Sequence, residues 1–177
     1  MMLERSGVEL DLVEASPLWK ALPEAPRLAA AAVEAAFATA GLNAAAGAEL
    51  AVVLSDDAGV RELNRTWRGK DAPTNVLTFP AAEPDEIATA PVLGDIVLAF
   101  ETVEREARTE GRRPADHFVH LVVHGVLHVY GFDHGTDAEA EAMEEIERRA
   151  LSGLGIPDPY AEPAHQGGSA AANGSHD

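Results

Sequence analysis

From Pro114 to Tyr130 the chain reads PADHFVHLVVHGVLHVY, and this run constrains the rest of the molecule more than any other. Phe118, Val119, Leu121, Val122, Val123, Val126, Leu127 and Val129 point in nearly every direction around a helix axis, leaving almost no polar stripe except histidines. A helix that is apolar all round is enclosed by protein. The rest of the chain must therefore wrap it.

The neighbouring segments have the patterns for that. VELDLV, from Val8 to Val13, alternates apolar and polar side chains as a half-buried strand does, and suits a sheet edge. Between Pro17 and Gly41, Leu18, Leu22, Leu28, Val33 and Phe37 lie among alanines, which predicts a helix interrupted near Pro23 and Pro26 and closed by a left-handed glycine. ELAVVLSD, Glu49 to Asp56, reads as a strand followed by an N-cap, opening a short helix through Leu63 and Trp67 to Gly69. Two more strands follow, Asn75 to Phe79 and Val92 to Phe100, joined by an acidic, proline-containing loop with the composition of a mobile one. ETVEREARTEGRR interleaves Glu and Arg at spacings that suit a solvated helix face. Asp137 to Leu151 is a further helix, acidic outside, with Ala140, Met143, Ile146 and Leu151 at core spacing. Residues 1–160 are expected to form a single domain and 161–177 a disordered tail of small polar residues that includes His165 and His176.

Composition removes several function classes. The absence of cysteine excludes disulfides and thiolate metal sites, leaving imidazole and carboxylate as the strong metal ligands. The N-terminus MMLERSGVELDL reads as neither signal peptide nor anchor. The run Leu28 to Ala40 is broken by Glu34 and falls short of the roughly 20 apolar residues a bilayer span needs. A cytoplasmic location with no membrane partner is the expectation. A net charge of −17 argues against non-specific adhesion to nucleic acid, which rests on Lys and Arg. Cations are nevertheless concentrated in RELNRTWRGK, where Arg61, Arg65, Arg68 and Lys70 stand against Glu62, so any RNA contact is local.

Three of the seven histidines fall within HGVLHVYGFDH, residues 124–134. His124 and His128 are four apart, so they project from one helix face a turn apart and can bind one ion between them. Gly131 can take the left-handed conformation that ends the helix, after which His134 can return toward the same ion. Three imidazoles without cysteine point to one zinc ion per chain, with a fourth coordination place open to water. A single histidine on an apolar helix is more readily a core residue satisfied by hydrogen bonds. Three together favour an ion, which offsets the cost of burying all of them. His117 and His120 lack a turn to aim them and are assigned supporting or packing roles. Asp133 is open to two readings: it accepts the free N–H of a ligand histidine, or it caps the local turn.

The same string has the H-x-x-x-H-x-x-G-x-x-H spacing of metzincin proteases, which place a glutamate base directly after the first histidine. Here that position is Gly125. Peptide hydrolysis by that route loses its base and ranks second.

HGVLHVYGFDH, preceded by NRTWRGKDAPTNVLTFP and LGDIVLAF and followed by IPDPY, resembles the YbeY family of bacterial endoribonucleases and rRNA maturation factors, over about Val8 to Tyr160. The resemblance implies an α+β fold, a small mixed sheet with helices packed on it. With the segments above, that gives four strands and about five helices. It implies one zinc on His124, His128 and His134, cleavage of single-stranded RNA, maturation of the 16S rRNA 3′ end and ribosome quality control. The implied partners are the 16S precursor, the small ribosomal subunit and its assembly proteins, with no DNA expected.

It also implies a functional arginine in the WRGKD block, which falls on Arg68. The planar guanidinium suits two phosphate oxygens and offsets charge developing on an attacked phosphodiester. An arginine paired to a surface carboxylate is the plain alternative. Arg65, Lys70 and Trp67 are candidates for phosphate contact and base stacking, although the helical spacing of Trp67 from Leu63 favours the core. For Asn75 and Asp95, turn and backbone hydrogen bonding is preferred. A non-enzymatic assembly factor, whose metal merely closes the loop onto the helix, is the alternative outside catalysis.

Overall fold

The computed structural model describes residues 1–161, so all but the first residue of the expected tail lies outside the described part. The fold is α+β. Four strands, β1 (Glu9–Glu14), β2 (Glu49–Ser55), β3 (Val76–Pro80) and β4 (Val92–Ala99), form one sheet in the order β1-β2-β4-β3. β1, β2 and β4 are mutually parallel, whereas β3 runs antiparallel to β4. The edge position expected for the first strand is observed, and β3 is the other edge.

Among the described residues five α-helices accompany this sheet: α1 (Ala25–Ala40), α2 (Asp57–Arg68), α3 (Phe100–Thr109), α4 (Pro114–Val129) and α5 (Asp137–Gly153), the last resting on α1 and α4. The prolines predicted to interrupt the first helix do so, leaving a short 3-10 turn at Pro17–Ala21 before α1. Asp56 caps α2 by accepting from the Gly59 N–H at 2.8 Å. The loop between β3 and β4 has more structure than its composition predicts. It contains a 3-10 turn at Ile87–Thr89, and Ile87 is buried in the main core.

Strand alternation divides the sheet's two faces. Ile96 and Leu98 of β4 join the main core beneath α1, α4 and α5, while Val97 and Ala99 face Val60 and Leu63 of α2. α4 touches α1, α3, α5, β3 and β4, the enclosure its all-round apolar surface demanded. It approaches the sheet closely at Gly125, where a Cβ would lie 2.8 Å from Ile96 Cγ2. No described helix is long and apolar enough to cross a membrane.

Candidate metal centre

His124 and His128 occupy the last two turns of α4, and the chain then turns at Gly131, whose φ of 95° is costly for any residue with a Cβ. A Cβ there would also meet Pro84 Cγ at 2.7 Å, so the loop after β3 packs against this turn. The turn returns His134 to the helix end. One nitrogen from each of His124, His128 and His134 falls within 4.8 Å of the others. His124 and His128 are half-buried and His134 is exposed, so the cluster lies at the molecular surface.

The donor set fits a metal ion. His124 Nε2 and His128 Nε2 face each other 3.0 Å apart. His124 Nδ1 lies 2.6 Å from Glu147 Oε2, where the carboxylate accepts, and the other ring nitrogen, Nε2, is aimed into the cluster. Burial, with the nearby His124 and His134, pushes His128 down to about 4, so at neutral pH its imidazole is uncharged. Neutral imidazoles with converging lone pairs are what a divalent cation needs.

Glu147 is the residue that sequence reasoning missed. The acidic outer face expected for the last helix would take in every glutamate there, yet Glu147 is 0% exposed. Its Oε1 accepts from His120 Nε2 at 2.8 Å and from the Tyr160 hydroxyl. Burial alone would raise its pKa, but the hydrogen bonds from His120 and His124 outweigh that and hold it well below the usual carboxylate range. A signal was present: Met143, Glu147, Ala150 and Leu151 follow i, i+4, i+7, i+8, so Glu147 sits in the core stripe.

His117 and His120 take the supporting positions expected of them. His117 Nε2 bonds Glu106 Oε1 at 2.8 Å and His120 reaches Glu147. Burial holds the His120 pKa below its ordinary value. Asp133 makes a local bond, Oδ1 accepting from the His134 N–H at 2.7 Å, which favours the turn-capping reading.

Arg68 does not join the histidine cluster. It ends α2, donates to the Thr78 carbonyl at 2.9 Å on edge strand β3, and its guanidinium carbon lies 5.6 Å from the Phe79 ring centroid. Thr78 pairs with Ile96, and the Ile96 side chain meets α4 at Gly125, beside His124. Arg68 and the histidine helix thus flank one rung of the sheet. Arg61 and Arg65 are held by Asp71 and Glu62, at 2.6 and 2.5 Å. Among the described residues Arg68 and Lys70 form no ion pair, so the surface-carboxylate alternative describes their neighbours instead.

Two expectations are corrected. Trp67, favoured for the core, is 69% exposed, because the last turn of α2 reaches the open edge of the sheet where no layer covers it. Asp95 is not at a turn. It lies within β4 opposite Ala51 and Phe79, and its side chain is exposed. Asn75 does have the structural role expected: Nδ2 donates to Glu106 at 3.0 Å and its carbonyl accepts from the Ala99 N–H.

Fold and cluster together define a small α+β protein whose central helix and following turn carry a three-histidine site suited to a metal ion. Comparison with known proteins makes this specific. A family model described as Endoribonuclease YbeY matches residues 21–155. A protein named Endoribonuclease YbeY from Azorhizobium caulinodans is 54% identical over 157 residues, covering 89% of this chain and 99% of that protein. One of the same name from Methylocella silvestris is 47% identical over 154 residues, covering 87% of this chain and 86% of that protein. The chain belongs to the YbeY endoribonuclease family. The fold is also similar to the solution structure of a Thermotoga maritima protein, with a TM-score of 0.52 at 22% identity, over 89% of this chain and all of the other.

Proposed function

We propose that this chain is a zinc-dependent endoribonuclease acting on single-stranded RNA, with residues 1–160 as one catalytic domain. We further propose that it acts in the cytoplasm on the 16S rRNA precursor, in 3′-end maturation and ribosome quality control, beside the small subunit and its assembly proteins. The observation that carries the metal reading is the convergence of three histidine nitrogens within 4.8 Å at the surface. Family membership carries the RNA reading, and the 16S and ribosomal assignments rest on the sequence resemblance.

His124 and His128, on a rigid helix, and His134, on the loop after it, would hold the ion. When bound, zinc supplies Lewis acidity toward a phosphoryl oxygen and lowers the pKa of water. Arg68 binds the phosphodiester, its fork matched to two phosphate oxygens and its plane steadied against Phe79. Trp67, exposed one residue earlier, offers an unstacked base a ring, and Lys70 adds charge. A single strand meets this combination more readily than a duplex, whose bases are already stacked.

The steric fit at Gly125 argues against the protease alternative: the position after the first histidine faces Ile96 and has no room for a glutamate. The test is cleavage of matched single-stranded and duplex RNA by zinc-loaded protein. Cutting restricted to the single strand is expected, reduced about 100-fold or more by Arg68→Ala and abolished by His124→Ala. Equal cutting of both substrates, or activity surviving both substitutions, refutes the proposal. Loss of fold on chelation, with no cleavage at any metal loading, favours the structural-metal assembly factor.

A further inference from the structure

We infer that Glu147 is the positioning residue for the candidate ligand His124, holding it in the tautomer that turns a bare Nε2 toward the ion. The inference depends on the reading above only in taking the cluster as a metal site.

The hydrogen bonds along α4 have a direction, and arginine sets it. A guanidinium donates and never accepts. Arg112 Nη1 lies 3.0 Å from His117 Nδ1 and Nη2 lies 3.4 Å from His120 Nδ1, so both ring atoms accept. Each neutral ring then carries its proton on Nε2. His117 donates it to Glu106 Oε1 and His120 donates it to Glu147 Oε1, each at 2.8 Å. Tyr160 gives its hydroxyl proton to that same Oε1. Oε2 remains, 2.6 Å from His124 Nδ1. As an acceptor it keeps the His124 proton on Nδ1, and Nε2 faces His128 with its lone pair free.

Burial makes this arrangement specific. Glu147 has no exposed surface, so its ionised form persists only while donors surround it, and His124 supplies the donor on Oε2. Moving the His124 proton to Nε2 would set the Nδ1 lone pair against that oxygen. An isolated imidazole on α4 has no such restraint. Glu147 comes from α5, so docking of α5 on α4 prepares the ligand before any ion arrives. A carboxylate that receives the second N–H of a ligand histidine also makes the ring more basic toward the metal.

The experiment uses the full chain, stripped of metal, as wild type and as Glu147→Gln, which keeps the shape but removes the charge. Competition against a chromophoric chelator is expected to show zinc binding about 10- to 100-fold weaker in the variant. Long-range proton–nitrogen NMR of metal-free wild type is expected to show His124 protonated on Nδ1, with mixed tautomers in the variant. A purely structural Glu147 would lower the melting temperature while leaving zinc affinity and tautomer unchanged, and that result overturns the inference. Protonation of His124 on Nε2 in the wild-type spectrum overturns it too, even if the variant fails to fold. Wild type that takes up no zinc defeats the proposed function instead, while the tautomer is still read from its own spectrum.

Discussion

Glu106 shows how one side chain ties elements together without touching the candidate site. Burial would raise its pKa, but bonds from His117 at 2.8 Å and Asn75 at 3.0 Å prevail and hold it below the ordinary carboxylate value. The pH consequence has a definite sign. The unfolded chain, whose carboxylate keeps its ordinary value near 4.5, takes up the proton first as the solution is acidified. Glu106 therefore contributes stability above that value, and the contribution is lost as pH falls through its lower folded value. Urea unfolding of metal-free protein across this acidic range is expected to show a weaker pH dependence in Glu106→Gln than in wild type. Identical slopes would show that its bonds to His117 and Asn75 add nothing. At the same scale, Trp67 and Glu147 exchange the places their letters suggest, the tryptophan outside and the carboxylate within.

α4 is the element on which the rest depends, and Gly125 is where it packs closely on β4. A methyl group at position 125 would sit 2.8 Å from Ile96 Cγ2 and 3.2 Å from Cδ1, inside a core where Ile96 is wholly buried. Overpacking of this kind costs about 1–3 kcal/mol, whereas alanine gains roughly 1 kcal/mol over glycine in a helix interior. The steric cost wins, so Gly125→Ala is expected to destabilise. With Ile96→Ala as background the obstruction is gone, and the same substitution should become neutral or stabilising. Denaturant midpoints for the four proteins of this cycle test it. A Gly125→Ala effect independent of Ile96 would mean that the helix does not rest on the strand as described.

The molecule as a whole carries a net charge of −17, yet it belongs to a family whose members carry the name endoribonuclease. The distribution reconciles the two. Arg61 and Arg65 are neutralised by Asp71 and Glu62, while among the described residues Arg68, beside the open edge of the sheet, and Lys70 form no ion pair. Few counterions are released when so small a patch meets a phosphate backbone. Two cations engaging single-stranded RNA predict a slope of roughly −1.4 for log affinity against log salt. Fluorescence anisotropy with a labelled single-stranded oligonucleotide measures it. A slope several times steeper would reveal a basic surface absent from the described residues.

What the letters determined by themselves is local: the strand and helix periods, the breaks at proline, the glycine turn after α4, and three histidines spaced to meet. Each depends on backbone geometry within a few residues, so a short window contains its cause. Docking decided the rest. Trp67 continues an apolar stripe, but whether a layer covers that stripe depends on where β3 ends the sheet. Glu147 lies 23 residues from His124, and only the packing of α5 against α4 turns one carboxylate of an acidic helix into the partner of a candidate ligand. A helical pattern states which face turns inward, while the chemistry awaiting it there comes from another part of the chain.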